Sequence, residues 1–239
     1  MKIIFLILIL TLSLKSNTFI DTVYSFTAGT GMNTGQSSEY FPTNIFGPPS
    51  TIATKYIAET RPEEILSLGL GGEIVVGLKN NIIINQPGID FIIFENCFIN
   101  QFTNKEFAEP AKVSVSANGI DFIEFPFNID SLTGLAGVTP TIGSQNPFNY
   151  PACGGNGFDL EDIGLDTINY IKITDVSQEI LNNKNHKNYD PTISGFDLDA
   201  VAILHHSEII TSVNFNKLSD KPKYYDIFGN EINDINNYY

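Results

Sequence analysis

Two apolar runs with the composition of β-strands constrain the fold of this 239-residue chain most strongly. Residues 88–98 (GIDFIIFENCF) follow a proline and end just past a cysteine, and residues 195–204 (GFDLDAVAIL) form a similar run near the other end. In the first run the side chains that point to either face are mainly apolar, which is typical of a strand covered on both sides. We therefore expect the two runs to be neighbouring strands of one core.

Shorter segments with strand composition lie between and around these two runs, and no stretch repeats apolar residues every 3.6 positions over a dozen residues. Asn118 and Gly119 stand between alternating segments, which predicts a hairpin. A second hairpin is predicted around the glycines at 69–72. These patterns predict an all-β fold, a single β-sandwich of jelly-roll (galactose-binding-like) type over residues 17–207. The other strand-like segments are residues 22–26, 65–68, 73–78, 82–84, 113–116, 122–125 and 170–175.

The acidic composition of the chain limits its partners. There are 27 acidic residues against 13 basic ones, and the formal net charge is −14. A surface of this charge repels phosphate backbones, so nucleic acid is excluded as an expected partner. It suits either a protein that binds cations or a soluble extracellular protein with a solvated acidic surface.

The N-terminus has the pattern of an export signal. Lys2 is followed by an apolar run of about a dozen residues, and the chain turns polar again at residues 15–17. We predict a signal peptide over residues 1–16, with an uncleaved anchor as the alternative. No later stretch is long enough to cross a membrane, so we expect no transmembrane helix in the mature chain and an exported protein at the cell surface or outside the cell. Residues 208–239 form a polar tail.

The chain has two cysteines, Cys97 and Cys153, so only one intramolecular disulfide can form. Export to an oxidising compartment favours that bridge, which would close a loop of over fifty residues and contribute roughly 4 kcal/mol in the chain-entropy model. The alternative is two separate buried thiols.

Acidic residues at the ends of the predicted strands are candidate cation ligands. Asp197 and Asp199 are two positions apart on one strand and share a face. Buried carboxylates are paired or bind metal, and Ca²⁺ takes six to eight oxygen ligands. The alternative is that these acids accept hydrogen bonds from backbone N–H groups of neighbouring loops. The predicted ligands of a structural calcium ion are Glu95, Asn96, Asp175, Asp190, Asp197 and Asp199.

Tyrosines in predicted loops are candidate platforms for a sugar ring. The chain has 10 tyrosines and no tryptophan, and loop packing is the alternative role for the four selected here. Glu95 with Asp197 or Asp199 would be the pair of a glycoside hydrolase if the two carboxyl groups flanked a sugar bond. The predicted ligand-binding residues are Tyr40, Tyr56, Tyr150 and Tyr189.

An ordered series of short motifs runs from about residue 22 to residue 205. Together they resemble a group of exported bacterial cell-surface proteins that carry a galactose-binding-like or jelly-roll sandwich. Residues 223–232 look like part of the sorting domain used in type IX secretion. The motifs are YFP at 40–42, GPP at 47–49, SLG at 67–69, GG at 71–72, GIDFIIFEN at 88–96, FAEPA at 107–111, VSVS at 113–116, NG at 118–119, AGVTP at 136–140, GG at 154–155, FDL at 158–160 and GFDLDAV at 195–201.

The resemblance implies export, a surface location and a sandwich fold, and it implies no activity. The leading hypothesis is a non-catalytic surface protein that acts in adhesion or glycan binding, with a structural calcium ion. A carbohydrate-active hydrolase and a purely structural component of the envelope or matrix are the alternatives.

Overall fold

The structure is a computed structural model that describes residues 18–208 together with 224–225 and 231–232. It is nearly all β. The strands, in chain order, are β1 (Thr18–Phe19), β2 (Thr22–Thr27), β3 (Leu66–Ser67), β4 (Glu73–Gly77), β5 (Asn81–Ile84), β6 (Phe91–Glu95), β7 (Phe98–Asn100), β8 (Lys105–Phe107), β9 (Ala111–Ser116), β10 (Ile123–Glu124), β11 (Asn156–Phe158), β12 (Thr167–Ile168), β13 (Tyr170–Asp175), β14 (Asp197–Ile203), β15 (His206–Glu208), β16 (Tyr224–Tyr225) and β17 (Glu231–Ile232).

In the part of the chain that the structure describes, helical structure is confined to short segments. One α-helix, α1 (Ser177–Asn182), follows β13, and two 3₁₀ helices cover Thr43–Ile45 and Leu160–Ile163. Within the described residues, therefore, no helix has the length and apolar character needed to cross a membrane.

Two antiparallel sheets form the sandwich. The first has the order β1-β14-β6-β11, with β3 also paired to β14, and the second has the order β10-β9-β13-β4-β2. One buried apolar cluster contains side chains of both sheets, including Phe91 and Val201 from the first and Val113 and Ile173 from the second. The predicted all-β sandwich is therefore confirmed, while the jelly-roll type stays a prediction.

Strand β6 is the centre of the first sheet, and all five of its residues are buried. Phe91 and Ile93 face the core between the sheets. Ile92 and Phe94 face the other way and pack in a second cluster with Cys153, Ala200 and Ala202. The expectation that this strand is covered on both sides is confirmed.

The two organising runs are direct neighbours, as predicted. β14 pairs antiparallel with β6, with Val201 opposite Ile93 and Leu198 opposite Glu95. The register shifts between Leu198 and Ala200, which is the signature of a β-bulge. This irregularity lies where the acidic residues of β14 are found, so it affects how their side chains are presented.

A glycine allows the outer strand β11 to approach β6 closely. Gly155 has a φ of +68°, and a Cβ atom there would lie 2.8 Å from Phe94 Cδ1 and 2.9 Å from the carbonyl oxygen of Ile93. Only glycine combines this backbone conformation with the absence of a side chain. The Gly-Gly motif at 154–155 therefore has a packing role.

One hairpin prediction is confirmed and one is wrong. β9 and β10 pair across the Asn118-Gly119 turn, with Ile123 opposite Val115. The glycines at 69–72 do not join a hairpin, because β3 pairs with β14 in the first sheet and β4 lies in the second. The glycine segment instead carries the chain from one sheet to the other, which sequence composition cannot distinguish from a tight turn.

Smaller sheets complete the structure. β12, β5 and β15 form a three-stranded sheet, and β7 and β8 form a hairpin. The chain divides into two compact units at Glu208, and in the second unit β16 pairs with β17. The predicted signal peptide lies outside the described residues, as does the predicted sorting segment at 223–232 apart from these two short strands.

The predicted disulfide between Cys97 and Cys153 is wrong: both are buried free cysteines. Cys153 packs against Ile92 and Phe94 on the outer face of the first sheet. Cys97 follows the end of β6, where burial and then the charges of Glu95 and Glu106 raise its pKa well above the ordinary value. The two thiols therefore occupy different surroundings, and the unique pairing expected from composition does not form.

We expect both thiols to remain free in protein recovered from an oxidising environment, because each is buried in a different place. Alkylation with iodoacetamide in denaturant, without reductant, should add two groups per chain by mass spectrometry, and a reduced sample should give the same mass. An unmodified chain that becomes alkylated only after reduction would show that the disulfide forms after all.

Candidate functional site

The ends of three strands bring polar side chains together at one end of the first sheet. Ser67 on β3 stands opposite Asp197 on β14. Leu198, the next residue of β14, stands opposite Glu95 at the end of β6. Asn96 then donates from Nδ2 to Asp197 Oδ2 at 3.0 Å and to the carbonyl oxygen of Glu59 at 2.9 Å. Asn96 and Asp197 are therefore in contact, whereas Glu95 shares the strand face of Leu198, and the grouping of all three residues stays a prediction.

Glu95 is the least compensated acid of this group. Its side chain is 1% exposed, and neither carboxyl oxygen has a hydrogen-bond partner. Burial, followed by the charges of Glu109 and Asp197, raises its pKa well above the ordinary value. The backbone N–H groups of Cys97 and Asp197 counteract this rise only in part, since neither reaches hydrogen-bond geometry. An ionised Glu95 is therefore costly in this position.

Glu109 was not among the predicted ligands, and it is another buried acid on which the charge of Asp197 acts. It is 3% exposed and accepts hydrogen bonds from the backbone N–H groups of Ser194 and Gly195 and from Ser194 Oγ. Burial, followed by the charge of Asp197, raises its pKa to about 7. A glutamate inside an otherwise apolar FAEPA segment was the available signal, because such an acid has to be buried with its neighbours.

The charge of Asp197 raises the pKa of both glutamates. Burial raises its pKa to about 6, hydrogen bonding to Ser67 and Asn96 lowers it, and the charge of Asp175 raises it again. The contact with Ser67 is loose, because Ser67 Oγ and Asp197 Oδ1 both lack a partner with hydrogen-bond geometry. Because the charges of Glu109 and Asp197 act on Glu95, and that of Asp197 acts on Glu109, we call these three buried acids the carboxyl cluster.

Two other predicted ligands follow the alternative interpretation, in which acids accept local hydrogen bonds. Asp175 accepts from the N–H groups of Gly71 at 2.8 Å and Phe196 at 2.9 Å, and from Ser177 Oγ at 2.6 Å. Asp190 accepts from the N–H and the hydroxyl of Thr192. These hydrogen bonds lower the pKa of Asp190, while burial raises that of Asp175.

Asp199 has different partners from Asp197. Its two oxygens accept from the N–H of Ser50 at 3.1 and 3.2 Å. Burial raises its pKa to about 7; the Ser50 hydrogen bond lowers it, the charges of Glu59 and Glu64 raise it, and Arg61 lowers it. Asp197 is bonded to Asn96 and Asp199 to Ser50, so the prediction that both aspartates share one site with Glu95 stays a prediction.

The group beside Asp199 contains a tightly held ion pair. Glu59 accepts from Arg61 Nη2 at 2.6 Å and Nε at 3.0 Å, from Ser50 Oγ, and from the N–H groups of Thr60 and Arg61. Burial raises the pKa of Glu59, but these hydrogen bonds outweigh it and lower the pKa to about 2. Glu59 is therefore ionised at neutral pH, and its charge acts on Asp199.

The four predicted ligand-binding tyrosines lie in different surroundings. Tyr56 is 46% exposed beneath the ammonium group of Lys55. Tyr150 is near Gly157 of β11, and Tyr189 packs in a satellite cluster with Ile180 and Ile193. Tyr40 alone of the four lines one of the described clefts, an open one of about 720 Å³.

The Tyr40 cleft is lined entirely by residues without charge. Besides Tyr40 it contains hydroxyl and amide side chains and a proline. The lining residues are Asn33, Thr34, Gly35, Gln36, Ser37, Tyr40, Thr60 and Pro62.

Buried hydrogen bonds hold the two walls of the Tyr40 cleft. Asn44 Nδ2 lies 3.1 Å from the carbonyl oxygen of Gly35, 3.1 Å from that of Pro62 and 2.6 Å from that of Ile65. The N–H of Ser67 donates to the carbonyl of Thr34. Asn44 is 7% exposed, so these bonds are shielded from water and keep the cleft in one shape.

Comparison with known proteins leaves the family open. No protein-family model matches the sequence, and no curated protein matches it. The resemblance to exported cell-surface proteins therefore stays a prediction, and the function has to be argued from the clefts and clusters described above.

The raised pKa of Asp199 predicts that stability falls as pH rises. An acid that binds its proton more tightly in the folded state stabilises the fold below its unfolded pKa and loses that contribution as pH rises to the folded pKa. For Asp199 the window runs from about 4 to about 7. Between pH 5 and pH 8 we expect wild type to lose on the order of 2 kcal/mol of unfolding free energy from this residue alone, in chelator-treated protein.

Asp199→Asn should flatten that slope and should be more stable than wild type at pH 8, as measured by urea unfolding at both pH values. Asp190→Asn is the matched control, since Asp190 is bonded in a surface turn and its pKa is lowered. An Asp199→Asn variant with the wild-type slope would contradict the assignment.

Proposed function

We propose that the protein is a non-catalytic, exported surface protein that binds a neutral glycan in the Tyr40 cleft. The observation that carries this proposal is the chemistry of the lining. The chain has a net charge of −14, yet each of the cleft's lining residues is uncharged. A site that excludes charge on so acidic a protein favours a ligand that is itself uncharged and polar.

The side chains of the Tyr40 cleft match the groups of a sugar. Sugar hydroxyls are both donors and acceptors, and so are the hydroxyl groups of Thr34, Ser37 and Thr60. An amide such as that of Asn33 offers a donor and an acceptor in one plane. Tyr40 supplies an aromatic surface for the apolar face of a sugar ring and a phenol for its rim.

The construction of the cleft favours binding without induced folding. Asn44 donates to the carbonyl of Gly35 on one side of the cleft and to that of Pro62 on the other. These hydrogen bonds hold the two loops in place before a ligand binds. A preformed site loses less conformational entropy when a ligand binds. An open cleft of this kind suits one unit of a polysaccharide chain that continues beyond the protein.

The structure offers less support to the hydrolase alternative. The acids considered for that role, Glu95, Asp197 and Asp199, are 1%, 8% and 2% exposed. Glu95 and Asp199 also have different neighbours. A pair that cleaves a sugar bond has to flank the substrate in an accessible cleft, so we favour binding over turnover.

Export is proposed from the sequence of residues 1–16, whose basic start and apolar run match a signal peptide. The surface location and the adhesive role follow from the motif series described above. A purely structural role in the envelope or matrix would share the fold and the export but would require no ligand in the Tyr40 cleft.

We predict that the purified protein binds some members of an array of immobilised neutral oligosaccharides, and that Tyr40→Ala weakens the strongest hit about tenfold. The loss of one aromatic contact accounts for this magnitude. Titration calorimetry with that oligosaccharide in solution gives the affinity. Tyr56→Ala is the matched control, because Tyr56 is exposed and belongs to a different loop.

An array without hits would contradict glycan binding and favour the structural alternative. Equal affinities for Tyr40→Ala and wild type would place the site elsewhere. Release of reducing ends from a bound oligosaccharide would support a hydrolase instead.

The export proposal has its own measurement. When the full chain is expressed in a bacterial host with a general secretion system, the product outside the cytoplasm should have its N-terminus near residue 17. Mass spectrometry of that product gives the cleavage site. A chain that retains its first residues and stays with the membrane fraction would show the uncleaved anchor.

A further inference from the structure

We propose that the protein docks on a phospholipid bilayer through the turn between β7 and β8, and that the cleft beside this hairpin takes a zwitterionic headgroup, in which an ammonium is linked to a phosphate. We call this cleft, which lies between the hairpin and residues 190–192, the hairpin cleft. The proposal does not rest on glycan binding, because the Tyr40 cleft and the hairpin cleft share no lining residue.

The first observation is a fully exposed aromatic side chain. Phe102 lies in the turn between β7 and β8 and is 100% exposed. Asn100 Oδ1 accepts from the N–H groups of Phe102 at 3.0 Å and Thr103 at 3.2 Å, so the turn has a defined shape. One exposed apolar residue is ordinary on a protein surface, and its neighbours decide whether it marks a binding surface.

A second turn next to the hairpin is also apolar. The N–H of Ile99 on β7 donates to the carbonyl oxygen of Lys55 at 2.8 Å, which joins the hairpin to the turn at 54–57. Tyr56 and Ile57 follow Lys55 in this turn and are 46% and 55% exposed. The two turns therefore present apolar side chains from neighbouring segments.

Exposed apolar side chains are concentrated on these two segments. Within residues 18–208, nine large apolar side chains are exposed, and four of them lie here: Ile52, Tyr56, Ile57 and Phe102. The other five are spread over the rest of the described chain: Tyr24, Met32, Ile120, Ile123 and Tyr150. This concentration marks the two turns as an interaction surface.

A bilayer fits these turns better than a second copy of the chain does. Aromatic and aliphatic side chains with lysines beside them are typical of surfaces that lie at a membrane. The ammonium of Lys55 lies 5.4 Å from the centre of the Tyr56 ring. Lys55 and Lys105 are the only charged residues in segments 51–57 and 98–105. Two copies that met through these turns would therefore bring like charges together.

The second observation is the hairpin cleft itself. In the β7–β8 pairing Phe98 is opposite Phe107 and Asn100 is opposite Lys105, so these four side chains share one face of the hairpin. The rings of Phe98 and Phe107 stack with their centroids 5.3 Å apart. All four residues line a cleft of about 330 Å³ together with Asp190. The cleft therefore combines an aromatic pair with a cation and an anion.

The two charges of the hairpin cleft are neighbours. Lys105 Nζ donates to the carbonyl oxygen of Tyr189, which brings the ammonium beside Asp190. Hydrogen bonds from Thr192 and, more weakly, the charge of Lys105 lower the pKa of Asp190, so this carboxyl is ionised at neutral pH. Both Thr192 bonds use Oδ1, which leaves Oδ2 to accept from a ligand. Glu106 is opposite Ile99 in the hairpin, so its side chain belongs to the other face.

One cation beside one anion selects the class of headgroup. The ammonium of Lys105 has further N–H groups to donate to a phosphate, and the carboxylate of Asp190 accepts from a primary ammonium. A phosphoethanolamine headgroup carries both groups. A quaternary ammonium has no N–H to donate, so phosphocholine should bind less well. A headgroup with a net negative charge is repelled by a protein of net charge −14.

The hairpin cleft lies where headgroups would be when the turn is inserted. Thr103, the residue after Phe102, lines the same cleft. A bilayer that accepts the Phe102 ring among its acyl chains therefore brings its phosphates and ammonium groups to Lys105 and Asp190. The two observations thus describe one mode of docking.

The experiment is co-sedimentation of the purified exported protein with three kinds of vesicle: phosphatidylcholine alone, a mixture with phosphatidylethanolamine and a mixture with phosphatidylglycerol. We expect the ethanolamine mixture to bind most protein and the glycerol mixture least. Phe102→Ser should weaken binding to the ethanolamine mixture about tenfold, because it removes a large apolar side chain from the bilayer. Ile120→Ser is the matched control, since Ile120 is 81% exposed in the β9–β10 turn, away from these segments.

A second variant tests the headgroup separately from insertion. Asp190→Asn removes the anion and keeps an oxygen for the Thr192 bonds, so the fold should be unchanged. We expect this variant to bind the ethanolamine mixture no better than phosphatidylcholine alone. Its remaining binding should still depend on Phe102.

Several outcomes would overturn the proposal. One is a protein that sediments with none of the vesicles. Another is a Phe102→Ser variant that binds like wild type, or an Ile120→Ser variant that loses as much binding as Phe102→Ser. Self-association that Phe102→Ser abolishes, measured by sedimentation velocity without lipid, would show that a second copy covers the turns instead. Equal binding of wild type and Asp190→Asn to the ethanolamine mixture would contradict the headgroup site. None of these outcomes bears on glycan binding, which is measured separately.

Discussion

The pairing of β6 with β14 is the interaction on which the rest of the structure depends. Each of these strands is buried along its whole length, and together they supply side chains to both the central core and the outer cluster. Burial of apolar area on two faces is the largest favourable contribution that a strand can make. The same burial leaves no solvent around polar atoms at the strand ends, so every acid there needs a partner within the protein.

The fold meets that requirement in different ways at the two ends of β6. Asp90 receives two backbone N–H groups and a histidine. At the other end, Asn96 and the loop residues Ser194 and Gly195 compensate Asp197 and Glu109, and Glu95 has no such partner. Nearby, Arg61 compensates Glu59 so well that Glu59 stays ionised. The carboxyl cluster therefore differs from ordinary buried hydrogen bonding, because Asp197 and Glu109 have hydrogen-bond donors and Glu95 has none.

Loops rather than strands form the proposed glycan cleft. The segment at 33–40 and the residues at 60–62 are far apart in sequence, and Asn44 connects them through backbone carbonyls. A rigid sandwich that presents shaped loops is a common arrangement for binding proteins, because the loops can vary without loss of the core. The cleft and the carboxyl cluster therefore have separate structural supports, one in the loops and one in the strand ends.

The sequence by itself determined the fold class, the pairing of the two apolar runs and the Asn118-Gly119 hairpin, because alternation and turn residues are local signals. It also placed acids at the ends of the central strands and selected Asn96 and Asp197, which are in contact. Only the tertiary structure decided the rest. The glycines at 69–72 cross between sheets, Cys97 and Cys153 have different surroundings, Asp199 has its own partners, and Glu109 joins the cluster. These facts depend on which distant segments pack together, and neither spacing nor composition encodes the direction of a side chain after a β-bulge.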